Sequence, residues 1–160
     1  MSTLLSACAT TSEPQGPSAT ARLQSKSGST VTGSVRFTQV GDRVRVVGEI
    51  TGHSRGSKGF HIHDKGDCSS ADGMSTGGHF NPAKSSHGSP GTGHAGDLGN
   101  LVFDDYGRAS VNVMVSGIAV SKTAPNGIIG RAIIVHTQED DLKTDPTGNA
   151  GGRVACGVIE

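Results

Sequence analysis

Aromatic residues are nearly missing from this chain. Phe, Tyr and Trp together make up 3% of its 160 residues, and Trp is absent. A core built from large rings is therefore excluded, and packing falls to Val, Ile and Leu. Net charge is missing too, since 14 Lys and Arg offset 14 Asp and Glu. That balance lacks the basic excess of a nucleic-acid binder, so no nucleic-acid partner is expected. No apolar run approaches the ~18 residues of a membrane-crossing helix, and no stretch carries a convincing helical period. Glycine, by contrast, is abundant at 25 residues, joined by 6 prolines. Valine-rich runs broken by glycine turns predict a single all-β domain.

Residues Thr30 to Phe37 alternate, with Val31, Gly33, Val35 and Phe37 on one face and Thr32, Ser34 and Arg36 on the other. Gly41 and Asp42 supply a turn, and Val44, Val46, Gly48 and Ile50 continue as the partner strand of a hairpin. Strand texture returns at Gly59 to His63, Gly99 to Phe103, Ala109 to Val115, Gly130 to His136 and Val154 to Ile159. Two long loops separate them, one within Thr51 to Asn100 and one from Thr137 to Gly152. Loops of that length are uncommon unless they serve a function or are held by a metal or disulfide. Short strands around two such loops predict a sandwich or barrel.

The three cysteines divide unevenly. Cys68 and Cys156 lie in the globular part, where pairing is open to them. Cys8 lies in the tail, in Leu5-Ser6-Ala7-Cys8, which reads as a bacterial lipobox whose cysteine carries lipid. The apolar segment that should precede a lipobox is too short here, so this reading needs a truncated start. The plainer alternative is a polar tail that happens to contain a cysteine. Residues 10–19 are rich in Thr, Ser, Pro and Gly and suit a flexible linker. The expected organisation is a signal-peptide remnant with lipobox and linker over residues 1–20, then one domain over residues 21–160.

Histidine carries the chemistry. His61 and His63 flank Ile62, so on a strand both rings project from one face and can take two positions on one metal ion. His79, His87 and His94 follow, with Asp97 three residues after the last, and His136 ends a separate apolar strand. Imidazole suits copper and zinc, and a carboxylate suits zinc as a fourth donor. A lone histidine is more often packed or solvated, but that does not account for six at such positions.

Four segments occur in order: Gly59-Phe60-His61-Ile62-His63, Gly78-His79-Phe80-Asn81-Pro82, His94-Ala95-Gly96-Asp97-Leu98-Gly99-Asn100, and Gly148 to Ile159 with Gly151-Gly152-Arg153-Val154-Ala155-Cys156 at its centre. Together, from about Ala21 to the C-terminus, they resemble the signatures of the copper/zinc superoxide dismutases, in a bacterial secreted or lipoprotein form. The resemblance implies a flattened, immunoglobulin-like Greek-key β-barrel with two long functional loops, dismuting superoxide by Cu(II)/Cu(I) cycling beside a structural Zn(II). It implies copper ligands at His61, His63, His79 and His136 and zinc ligands at His79, His87, His94 and Asp97, with His79 bridging. Asp140 is implied as the carboxylate linking His61 to His87, Cys68–Cys156 as a disulfide, and Arg153 as the guanidinium that guides superoxide. A periplasmic or cell-envelope location, a lipid anchor to the outer membrane through Cys8 and a homodimer are further expectations of this kind, the dimer surface being left open.

The chain departs from the common eukaryotic pattern in three ways. The His87 to His94 segment is short; the loop from His136 to Arg153 is short and lacks the family's glutamate pair; and His53 stands where the family usually has leucine. Lys143 is a candidate for guiding superoxide or a plain solvated lysine, and His53 reads as a partly exposed histidine at a strand end. The rival functions are a metal-delivery or storage member of the same fold, which typically lacks a copper histidine or the arginine, and an extracellular structural sandwich binding zinc adventitiously.

Overall fold

The computed structural model describes residues 15–160. Cys8 and most of the segment read as leader lie outside them. Eight strands are present: β1 (Gln15–Ser25), β2 (Thr32–Val40), β3 (Arg43–Thr51), β4 (Gly56–His63), β5 (Asp97–Phe103), β6 (Arg108–Val115), β7 (Ala132–His136) and β8 (Arg153–Val158). Helix is confined to one 3-10 turn, Met74–Thr76, among the described residues. All strand pairs are antiparallel, in the order β5-β4-β7-β8-β1-β2-β3-β6. β5 and β6, joined by a tight turn, bring the ends of this order together into a nearly closed barrel. The β3–β4 and β6–β7 connections each pass across that seam, which is the Greek-key crossing.

The hairpin of β2 and β3 forms as its alternation predicts, with Val35, Phe37, Val44, Val46 and Ile50 fully buried in the barrel. β1 is a correction. It begins at Gln15, inside the stretch read as linker, and pairs with β2 and β8. Its inward positions are Ala19, Ala21 and Leu23. Small residues after a Gly-Pro-Ser run give too weak an alternation to announce a strand.

β4 and β7 place the rest of the molecule. Their odd-and-even alternation sends Phe60, Ile62, Ile133 and Val135 into the core. The opposite face carries His61, His63, Ala132, Ile134 and His136, with His61 opposite Ile134 and His63 opposite Ala132. That outer face is buried as well, beneath the two long loops. Ala132, Ile134 and Cys156 form a small apolar cluster there, against Cys68. The Cys68–Cys156 disulfide, with Cα atoms 5.8 Å apart and its ends 88 positions apart in sequence, fastens the first loop to β8. The histidines therefore sit on the outside of the barrel wall, roofed by loops.

Candidate metal centre

Two groups of side chains converge beneath the roof. In the first, His61 and His63 from β4, His79 from the loop and His136 from the end of β7 each offer a ligand atom within 4.8 Å of the others. The second comprises His79, His87, His94 and Asp97, to the same tolerance. A backbone bridge between His63 and His79 brings the loop histidine to the strand pair. The Phe80 ring beneath the Arg131 guanidinium (3.6 Å) pins the loop just after it.

Hydrogen bonds fix which nitrogen of each ring faces the centre. Nε2–H of His61 donates to Asp140 Oδ2 (2.6 Å) and Nε2–H of His87 to Asp140 Oδ1 (2.8 Å). Nδ1–H of His63 donates to the Gly77 carbonyl (2.9 Å), and Nδ1–H of His136 to the Gly151 carbonyl (3.1 Å). The remaining nitrogens, His61 Nδ1, His63 Nε2, His136 Nε2 and His87 Nδ1, are buried without a hydrogen-bond partner, as is His79 Nε2. Orphaned buried nitrogens are costly, and four of them aimed at one point fit a four-nitrogen copper site.

The second group has the complementary geometry. His79 Nδ1 lies 2.9 Å from Asp97 Oδ1, His87 Nδ1 3.0 Å from Asp97 Oδ2 and His94 Nδ1 3.3 Å from Asp97 Oδ1. The His87 contact is close but not aligned as a hydrogen bond, as when both atoms point at a shared ion. Three imidazoles and a carboxylate fit a closed zinc site. His79 thus turns Nε2 to one group and Nδ1 to the other.

Electrostatics keep these groups ready to ligate. Burial pushes His61 down to about 4, against the pull of the Asp140 carboxylate, and His136 down to about 3 with the charge of His61 adding to it. His63 is also well below its ordinary value through burial and its histidine neighbours. All three are neutral at pH 7, the form that binds metal. Burial would raise Asp140, but hydrogen bonds from His61, His87 and the Leu142 amide hold it at about 2. Asp97 is likewise lowered, since donation from His79, Gly88 and His94 outweighs burial.

Asp140 can reach two rings at once because residue 148 is glycine. A Cβ there would stand 1.9 Å from Asp140 Oδ1 and 2.6 Å from His87 Nε2, and its φ of +64° is one that side chains resist. Asn100 braces the same carboxylate's backbone from both sides, accepting from the Asp140 amide (2.8 Å) and donating to its carbonyl (3.0 Å). Arg153, opposite His136 in the β7–β8 register, is buried and donates to the Gly73 carbonyl (3.0 Å) and Thr76 Oγ1 (2.9 Å). Its positive charge is felt at His63 and His136.

Among the described residues, the structure brings His61, His63, His79 and His136 together, and likewise His79, His87, His94 and Asp97. Thr76, Asn100 and Gly148 had no assigned role in the sequence reading. Asn100 and Gly148 lay within the quoted segments, but Thr76 carries no signal that would single it out. His53 is more tied down than expected: its Nε2 lies 3.0 Å from the His136 carbonyl and its ring 5.1 Å from Phe103. Lys143 is exposed, its side chain away from the centre's hydrogen bonds.

The chain matches the copper/zinc superoxide dismutase (SODC) family over residues 31–159. It belongs to that family. Copper/zinc superoxide dismutases are oxidoreductases, and their two metals are those the donor sets fit. A crystal structure of the clock protein EA4 is similar, with 46% identity and a TM-score of 0.81 over 89% of this chain and 92% of that one. The dismutase family match begins at Val31, so β1 lies outside it while pairing with both β2 and β8.

Proposed function

We propose that the chain disproportionates superoxide, two superoxide anions and two protons giving dioxygen and hydrogen peroxide. The assignment of metals is His61, His63, His79 and His136 for copper and His79, His87, His94 and Asp97 for zinc. The observation that carries it is the set of orphaned nitrogens on four converging rings, each with its other nitrogen already engaged. Copper held there would supply the one-electron Cu(II)/Cu(I) couple, and zinc would stay redox-silent.

The chain's own residues supply the rest. Arg153 presents a fixed positive charge to the incoming anion, in a buried setting where screening by water is weak. His79 offers Nε2 as a proton-holding atom between the two halves of the cycle, while its Nδ1 keeps the ring in place on the zinc side. Asp140 holds the His61 and His87 rings in one tautomer and orientation. The roofing loops, fastened by Cys68–Cys156, limit water at the rings.

The envelope location, the lipidation of Cys8 and a dimeric state are parts of this reading that rest on the tail sequence and the family resemblance. An oxidising compartment agrees with a structural disulfide. Pulse radiolysis on copper- and zinc-loaded protein tests the function. Fast dismutation that disappears in His136→Ala is expected. Absent turnover with both metals bound would overturn the enzyme and favour metal delivery or storage.

A further inference from the structure

The chain is neutral as a whole, but its charge is unevenly spread. The outward face of β1, β2, β3 and β6 exposes Arg22, Arg36, Arg43, Arg45 and Arg108 against Glu49 alone. By contrast, the loop over residues 137–152 holds Glu139, Asp140, Asp141 and Asp145 against Lys143 alone. The strand register makes the arginines neighbours. Arg36 stands opposite Val47, and Arg45, two residues before Val47, stands opposite Thr38 and Met114. Diagonal neighbours of this kind are ~7–8 Å apart, and Arg43 lies two residues further along the same face.

Among the described residues, Arg22, Arg36, Arg43 and Arg45 form no ion pair; Arg108 does, with Asp104 (3.3 Å). Arg36 donates to Ser18 Oγ (2.9 Å) and Arg45 to Asn112 Oδ1 (3.1 Å), contacts that leave their charges uncompensated. Like charges held together weaken a sheet surface, so the cluster calls for an anionic partner. Val47 and Met114, 41% and 37% exposed, lie on the same face, Val47 opposite Arg36 and Met114 opposite Arg45.

We propose that this arginine face is the surface on which the domain rests against an anionic phospholipid bilayer. Guanidinium groups pair with phosphate oxygens in a bidentate way, and a basic surface is drawn to anionic headgroups within a Debye length. The interleaved Val47 and Met114 suit the headgroup boundary better than they suit a nucleic-acid backbone. The chain's path agrees. Gln15 pairs with Val40, beside the Gly41–Asp42 turn, so the N-terminal segment leaves from the Arg43 end of this face. At most ~25 Å of extended chain separates Cys8 from Gln15. A lipid on Cys8 would hold the arginine face at the membrane, and a basic patch added to an acyl anchor makes a firmer attachment than either alone. The anchor at Cys8 rests on the envelope location proposed above, whereas the arginine cluster does not.

The test sediments the full chain, loaded with copper and zinc, with vesicles of phosphatidylglycerol and phosphatidylcholine, and with vesicles of phosphatidylcholine alone. Binding is expected to the mixed vesicles only, weakening as salt rises. Arg36→Glu with Arg45→Glu is expected to lower it at least about tenfold, while Lys84→Glu binds like the native chain. Retained dismutation shows that the double variant is folded, and Arg36→Gln with Arg45→Gln serves if it is not. Failure of the native chain to bind at low salt, or equal binding by the folded double variant, overturns the proposal. Equal affinity for duplex DNA at the same salt also overturns it, in favour of a general polyanion surface. Because dismutation is read separately, an inactive native chain would sink the enzymatic reading without touching the vesicle result.

Discussion

His61, His63 and His136 stand on strands whose other faces are locked into the barrel core, whereas His87 and His94 stand in a loop with no regular structure of its own. The strand-borne rings inherit their positions from packing that the barrel needs in any case. The loop-borne rings depend on polar ties: Asp140 reaching back to His87, Asp97 drawing in the amides of Gly88 and His94 (3.1 and 2.8 Å), and the Asp145 carboxylate on the His87 amide (2.6 Å). One half of the centre is therefore fixed by the barrel, and the other half is held by polar ties that metal binding would reinforce.

Removing a strand-borne ligand should have the largest effect and leave the fold intact. His136→Ala is expected to abolish dismutation while circular dichroism stays native. Retained turnover would break the comparison by showing that a pre-built ligand is dispensable. Next comes the tie between loop and barrel. Cys156→Ser should cost about 4 kcal/mol in the chain-entropy account of so long a closed loop, measured by urea unfolding. It should also lower zinc retention more than copper retention. Equal loss of both metals would mean that the disulfide supports the barrel as much as the loop.

Asp140→Asn should weaken zinc binding about 10- to 100-fold, read by competition with a chelator. Because the same carboxylate touches His61, copper affinity should fall by less, the β4 backbone holding that ring. Acidification sharpens the comparison in the metal-free protein. His61 and His136 titrate at about 4 and about 3 when folded, against about 6.5 in an unfolded chain. Below pH 6.5 the unfolded state thus binds more protons, and stability should fall steadily from pH 7 towards pH 4. The depressed Asp97 and Asp140 add a further loss below about pH 4. A flat urea midpoint across that range would contradict the buried, neutral histidines. The smallest effect should come from His53→Phe, which keeps an aromatic contact to Phe103 and deletes the hydrogen bond to the His136 carbonyl. At about 1 kcal/mol for that bond, copper affinity should drop a few-fold and zinc affinity should not change.

The same division explains what could be read from the chain. The β2–β3 hairpin was legible because bulky Val, Phe and Ile alternate with polar residues along both strands. β1 was not, because alanine at the inward positions leaves hardly any periodic signal. The strand ligands were legible through Ile62 between two histidines and through His136 closing an apolar run. The loop ligands had no period to read; residue type made them candidates, and their division between the two metals came only from the family resemblance. Thr76 and the reach of His53 were beyond both, since they depend on how a loop folds back rather than on any local pattern.

The strand order has a consequence in time. β7 lies between β4 and β8 although residues 64–131 separate it from β4 in sequence, so His136 cannot meet His61 until the Greek-key crossing has been made. Topologies dominated by such distant pairings fold slowly. Until that event the chain can gather His79, His87, His94 and Asp97, which lie close together in sequence, but the first group lacks its fourth nitrogen; afterwards all four are offered together. Capture of a metal by the first group is thereby scheduled last, and a copper ion held in full coordination would be a sign that the barrel has closed.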